Sequence, residues 1–273
     1  MTQVQQYDQA ALEVSKQITV FYSTSFSAAS RLISKDTRAH IYAIYGLVRL
    51  ADEIVDTIRH KDMRIRLDEL ERETSQAIQT GWSPNVLVHS FAQTARKYQF
   101  EDSLIKAFFS SMRQDITKTE FNQKEYQEYI YGSAEVVGLM CLKVFMNGKK
   151  VEYQKFATSA SALGSAFQKV NFLRDISADY RHLNRMYFPG IEYKNFTDKQ
   201  KANIIRDIQS DFTAAKPAIQ LLNRSTRYGV RLAYYYYQIL LQKLEKNSIR
   251  NIKKYRIRVS NTQKLYLYCF VWI

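Results

Sequence analysis

The segment SKDTRAHIYAIYGLVRLADEIVDTIR, residues 34–59, constrains the fold most. Its apolar residues recur at helical spacing over a length that no strand reaches. Tyr42, Tyr45, Arg49, Asp52 and Asp56 follow one another at intervals of 3, 4, 3 and 4, so on a helix they share one stripe. Ile44, Leu47, Val48, Ala51 and Val55 fill the neighbouring faces, which makes the helix apolar over most of its girth and predicts burial. Two carboxylates on a buried stripe need cations, because an uncompensated buried charge is very costly. On this segment alone two readings stand: an exposed face with intrahelical pairs such as Arg49–Glu53, or half of a metal site.

The remaining chain is read in the same way. Apolar spacing predicts helices at 7–22, 62–80, 86–99, 101–117, 124–147, 151–180, 198–215 and 227–246. Residues 182–196, with Pro189 and Gly190, read as a loop. Only eight glycines and three prolines are present, too few for the tight turns of an all-β or doubly wound chain. No linker, repeat or low-complexity stretch divides the sequence, so residues 1–273 are expected to form a single all-α domain.

A second helix carries the same pattern. In LGSAFQKVNFLRDISADY (163–180), Gln168, Asn171, Asp175 and Asp179 share a face, and Arg174 adds a cation beside the first aspartate. Uncharged amides on an acidic stripe suit a site that binds polar ligands without adding charge. RDIQSD (206–211) nearly copies RDISAD (174–179), but Asp198, Lys199 and Lys201 around it mark an ordinary amphipathic surface helix, and no catalytic role is assigned to it. Two D-x-x-x-D stripes on buried helices would hold Mg²⁺, which takes a few carboxylates and completes its shell with water and phosphate oxygens. A di-iron bundle would need E-x-x-H pairs, and His40, His60, His89 and His182 stand in none.

Charge narrows the partners. The net charge of +14 suits nucleic acid, an anionic membrane face or small polyanions such as diphosphates. No zinc-finger, RNP-like or basic-zipper pattern supports nucleic acid. Cys141 and Cys269 form neither a metal motif nor a disulfide framework. The first residues lack the pattern of a secretory signal, and no run of about 18–20 apolar residues reads as a membrane span. A cytoplasmic location is therefore expected, with peripheral contact at the inner face of the membrane.

The ordered motifs YSTSF (22–26), YGLVRLADEIVD (45–56), YIYGSAEVVGLM (129–140), QKVNFLRDISADY (168–180) and RMYFP (185–189) resemble the squalene/phytoene synthase family, most of all its bacterial phytoene synthases. The resemblance implies an all-α isoprenoid-synthase bundle around a central cavity. It implies a Mg²⁺-dependent prenyl transferase, with Mn²⁺ as a substitute and no nicotinamide. The reaction implied is head-to-head condensation of two geranylgeranyl diphosphates to phytoene through a cyclopropyl diphosphate, as in carotenoid biosynthesis. Condensation of two farnesyl diphosphates to squalene or dehydrosqualene is the alternative, and a non-catalytic scaffold relative is another. By position, Asp52, Asp56, Asp175 and Asp179 would coordinate the metal with Asn171 in support. Arg49, Arg174, Arg185 and Tyr187 would contact diphosphate, with Ser23 and Tyr45 nearby. Phe26, Tyr129 and Gln168 would line the substrate site, and Tyr42 and Phe172 are further aromatic candidates. Glu135 departs from the family, which has glycine there in many members.

The tail matches no family pattern. RNIKKYRIR (250–258) carries five basic residues and LYLYCFVWI (265–273) none of either sign. A membrane-interface segment, a final short helix packed on the domain and a disordered end are the readings open to it.

Overall fold

The computed structural model describes residues 1–57, 61–147 and 149–272. The end of the 34–59 segment, His60 and the last residue of the tail lie outside the described residues. Thirteen α-helices form the described chain. They are α1 (Gln3–Tyr22), α2 (Thr24–Ser30), α3 (Lys35–Asp52), α4 (Met63–Thr80), α5 (Val86–Lys97), α6 (Asp102–Thr117), α7 (Gln123–Ile130), α8 (Val136–Met146), α9 (Lys150–Leu183), α10 (Asp198–Leu221), α11 (Arg224–Lys246), α12 (Ile249–Lys254) and α13 (Asn261–Phe270). Among the described residues the only β pairing is an isolated parallel bridge between Glu120 and Met186. It ties the start of the loop after α9 to the segment after α6.

Local signals set the helix ends. Thr2 with Gln5, Asn122 with Glu125, Thr197 with Gln200 and Ser260 with Gln263 form reciprocal capping boxes. Helix α9 stops where Asn184 turns left-handed, at φ 51°.

Three expectations change. The expected 124–147 helix is two helices joined by a π-turn at Tyr131–Glu135. There a Cβ on Gly132 would stand 2.4 Å from the Ala107 carbonyl oxygen, so the extra residue sits where α6 presses closest. Helix α10 runs past 215 and through Pro217, because its buried stripe of Phe212, Ala215 and Ile219 continues across the proline. Gln123–Met146 is also long and apolar enough to cross a membrane by composition, contrary to the sequence reading; about half of it (56%) is buried inside the bundle.

Two apolar clusters organise the bundle. One joins α3, α4, α5, α6 and α8 around Phe91, Phe108, Phe109 and Leu67. The other joins α7, α9, α10, α11 and α12 around Leu173, Ile208 and Phe212. Between them lies an apolar cavity of about 270 Å³, walled by α2, α3, α8, α9, α10 and α11. Gly138 and Gly164 let α8 and α9 approach along it, since a Cβ on either would come within 2.7 Å of a backbone oxygen of the facing helix.

Helix α10 is not the plain surface helix its sequence suggests. Lys201 is buried and its Nζ donates to the carbonyls of Leu244, Glu245 and Asn247, which close α11. Asp207 and Asp211 hold the buried Lys169 of α9 at 2.6 and 2.8 Å. Glu135 turns toward this cluster: burial raises its pKa, Asp211 adds to the rise and Lys169 opposes it. It does not line the cavity.

Candidate functional site

The first acidic stripe ends in a π-turn, Glu53–Thr57, which carries Asp56. Arg49 pairs with Glu53 and lies 4.1 Å over the Tyr22 ring, so the intrahelical pair of the bland reading does form. The aspartates behave differently. Burial, then the charge of Asp56, pushes Asp52 up to about 8. On α9, burial and then Asp175 push Asp179 up to about 7, and Asp56 and Asp115 contribute to the same rise. The two acid stripes therefore feel one another's charge.

Asp175 is held differently. Against the cost of burial, Arg174 and Arg256 keep its carboxyl below the usual range. Arg174 Nε donates to it at 2.9 Å, and Arg256 donates through Nε and an η nitrogen at 2.7 and 3.1 Å.

Beneath the stripes lies a group that sequence reasoning missed. Asp115 of α6 is buried, and its carboxylate accepts from Tyr129 at 2.7 and 2.9 Å and from Tyr187 at 3.3 Å. Arg185 lies 3.0 Å from that carboxylate and 3.5 Å from Asp56, and donates to the Tyr187 hydroxyl at 2.8 Å. Arg185 is 4% exposed, and its Nε has no hydrogen-bond partner among the described residues. The bridge at Met186 is what carries Arg185 inward. Tyr187 stacks on Phe172 at 3.9 Å. Tyr129, Arg185 and Tyr187 thus form a buried platform around Asp115 rather than an open wall.

The other predicted residues lie around a polar mouth of about 510 Å³ that shares Phe26, Phe167 and Ala233 with the apolar cavity. Ser23 caps α2 through Phe26 N at 3.2 Å and lines the mouth, as do Arg174, Arg256, Arg258 and Lys264. Phe26 stacks on Tyr45 at 5.2 Å, and burial pushes Tyr45 up to about 12. Gln168 lines the apolar cavity. Asn171 accepts from Tyr237 at 3.3 Å, and Tyr237 stacks on Phe167 at 4.0 Å. Tyr42 is buried in the core.

Arg256 belongs to the basic run of the tail, for which a membrane interface is one of the readings open. Lys253 is also engaged, over the Tyr193 ring at 4.7 Å, while the Lys253 carbonyl accepts from Ser177 and Arg181. Asp115 carried one faint signal: it continues the spacing of Phe108 and Met112, a lone carboxylate on an apolar stripe.

The donor set fits a hard divalent cation. It is all oxygen, and burial, with neighbouring carboxylates adding to it, raises Asp52 and Asp179, a cost that a bound cation would relieve. Among the described residues no three carboxylates, histidines or cysteines converge closely enough to hold a metal alone. A site completed by water and phosphate oxygens is consistent with that spacing.

Comparison with known proteins shows the family and the fold. The squalene/phytoene synthase profile matches residues 21–263. Phytoene synthase 1, chloroplastic, of Zea mays is 27% identical over 89% of this chain, which spans 63% of that protein's length. The 4,4'-diapophytoene synthase of Staphylococcus haemolyticus is 28% identical over 71% of this chain and 68% of its own. A dehydrosqualene synthase crystal structure with ligand superposes with a TM-score of 0.82 at 20% identity, covering 98% of this chain and 97% of that one, and shows the shared fold.

Proposed function

The chain belongs to the squalene/phytoene synthase family, and from that premise we propose that it is a prenyl transferase that joins two geranylgeranyl diphosphates head to head to give phytoene. One observation carries the proposal: an apolar cavity adjoins a cationic mouth lined by Arg174, Arg256, Arg258 and Lys264, and two of these guanidinium groups hold Asp175 of the second acid stripe. The arrangement matches the two ends of a prenyl diphosphate. The hydrocarbon chain lies against Phe26, Val137, Phe145, Phe156 and Phe167, and the diphosphate lies at the mouth.

Asp52, Asp56, Asp175 and Asp179, with Asn171 alongside, would hold Mg²⁺ or Mn²⁺, which supplies Lewis-acid neutralisation of the departing diphosphate. The protein's own share is positioning and shielding. Arg174, Arg256 and Lys264 present cations at the mouth, where they bind and orient a diphosphate by charge-assisted hydrogen bonds. The apolar wall excludes water that would quench an allylic cation. The stacked faces of Phe26 and Tyr45, and of Phe167 and Tyr237, offer aromatic surface to that cation.

A second reading has the diapophytoene synthase relative in its favour: condensation of two farnesyl diphosphates to a C30 product. Product mass after incubation with each diphosphate, Mg²⁺ and no nicotinamide separates the two. A C40 hydrocarbon from geranylgeranyl diphosphate is expected. Turnover of farnesyl diphosphate alone would establish the C30 reaction, and a folded sample that consumes neither would leave a scaffold role.

A further inference from the structure

Helix α13 is amphipathic the wrong way round for an edge helix in water. Its inward side, Lys264, Leu267 and Tyr268 with Val271 beyond its end, packs on Ala29, Leu232 and Tyr236 of α2 and α11, and Val271 is 1% exposed. Its outward side should then be charged, yet it carries Leu265 (66% exposed), Tyr266 (60%) and Phe270 (48%), followed by Trp272 (51%). Tyr266 and Phe270 lie 4.3 Å apart, and Trp272 lies 4.5 Å from Tyr228 of α11, so the patch is continuous with the bundle surface.

The surroundings are cationic. Beyond Asp211 the chain carries twelve lysines and arginines and a single acidic side chain, Glu245. Arg224 and Arg231 stand one turn either side of Tyr228 on α11, and Lys254 and Arg258 are exposed just before α13. The patch also adjoins the mouth: Asn261 and Lys264 line it, and Lys264 reaches Thr24 at 3.3 Å. Phe21, 82% exposed, packs edge-on against Tyr22, which lines the rim of the mouth.

We propose that the outward face of α13, with Trp272 and the Phe21 rim, is the docking surface for an anionic lipid bilayer. Aromatic and aliphatic side chains flanked by cations match an interface that is anionic outside and apolar beneath. Nucleic acid would leave the Leu265–Phe270 face without a partner. The placement beside the mouth rests on the proposed function, whose hydrocarbon product is insoluble in water and would leave directly into lipid. Deleting residues 261–273 would be a poor test, because Val271 is core; substitution of outward residues leaves the inward contacts in place.

The test is co-sedimentation of the full chain, without substrate, with vesicles of phosphatidylcholine alone or mixed with phosphatidylglycerol. Binding only to the anionic vesicles, weakened by salt and reduced at least tenfold by Leu265→Ser/Phe270→Ser/Trp272→Ser, is expected, with turnover on detergent-solubilised substrate retained. Equal binding by the triple variant, or no binding by the unaltered chain, overturns the proposal. So does a dimer in light scattering that the variant dissolves, which would assign the face to a second copy. Should the triple variant fail to fold, quenching of Trp272 by brominated anionic lipid in a Trp82→Phe background decides, and absence of quenching overturns it. Because binding is read without turnover, an inactive protein that binds refutes only the function, and an active one that does not bind refutes only the docking surface.

Discussion

Replacing Arg185 by methionine should make the stability of the metal-free protein abnormally sensitive to pH. The Asp115 side chain is 5% exposed, and burial has already lifted its pKa from 3.8 to about 6, with Arg185 the largest opposing influence. A carboxyl raised in the folded state stabilises fully below its unfolded pKa, and that contribution is lost as pH rises through the folded value. In the unaltered chain the loss is complete near pH 6, at a total of about 3 kcal/mol for a rise of about two units. Above that, folded and unfolded states are both ionised at Asp115 and its contribution is flat. Without Arg185 the folded pKa moves higher, so the native state keeps a proton that the unfolded chain releases. Stability then continues to fall by about 1.4 kcal/mol per pH unit.

The two proteins should therefore differ at pH 6 by the lost bonds to Tyr187 and the Asp115 carbonyl. Their separation should widen by up to about 2.7 kcal/mol on going to pH 8, equivalent to very roughly 5–10 °C in Tm for a chain of this size. Denaturant melts at half-unit pH steps in chelator measure this. Asp115→Asn in the same background should remove the part of the widening that Asp115 causes. Parallel stability curves for the unaltered chain and Arg185→Met would refute the coupling.

Three further outcomes follow from the site. Mg²⁺ binding at pH 7 should release protons from Asp52 and Asp179, raised to about 8 and about 7, and its affinity should rise from pH 6 to 8; calorimetry in buffers of different ionisation enthalpy reads both, and pH-independent affinity would contradict the assignment. Asp52→Asn or Asp175→Asn should abolish turnover with the fold intact, while Asp207→Asn, which leaves Asp211 on Lys169, should be nearly silent in the product assay; full activity in Asp175→Asn would sink the site. Lys201→Met should cost about 1–3 kcal/mol in denaturant midpoint by stripping the donor from the end of α11, and should leave turnover unchanged.

Both acidic helices were legible because periodicity reports which residues share a face, and carboxylates on an apolar face demand a partner. Which partner they have was not legible. Arg256 is 81 residues from Asp175, and nothing local marks it as different from Arg250 or Lys254. Asp115 escaped notice because no second carboxylate stands at helical spacing from it to mark a pair, and its place on the Phe108–Met112 stripe alone is a faint signal. Tyr129 read as lining the substrate site and Tyr187 as a diphosphate contact, whereas the hydroxyls of both donate to Asp115. Helix α2, at seven residues, is too short for periodicity to reveal. Pro217 misled in the other direction: proline removes one backbone donor, but the buried stripe on either side of it outweighs that loss.

The two acid stripes reach the same end by opposite means. On α3 and its π-turn, the carboxylates stand in excess, and Asp52 responds by retaining a proton. On α9, Asp175 is neutralised by Arg174 and Arg256, both of which also line the mouth. A cation at the carboxylates would displace the proton from the first stripe and compete with the guanidinium groups at the second. Those groups would then be released at the place where a diphosphate enters. Under the proposed function, the positive charge that a diphosphate would need is held inward on Asp175, and cation and diphosphate would each lower the cost of binding the other. The segment that brings Arg256 there lies between α12 and α13, so one of the two guanidinium groups on Asp175 sits a few residues before the helix that carries the exposed aromatic face.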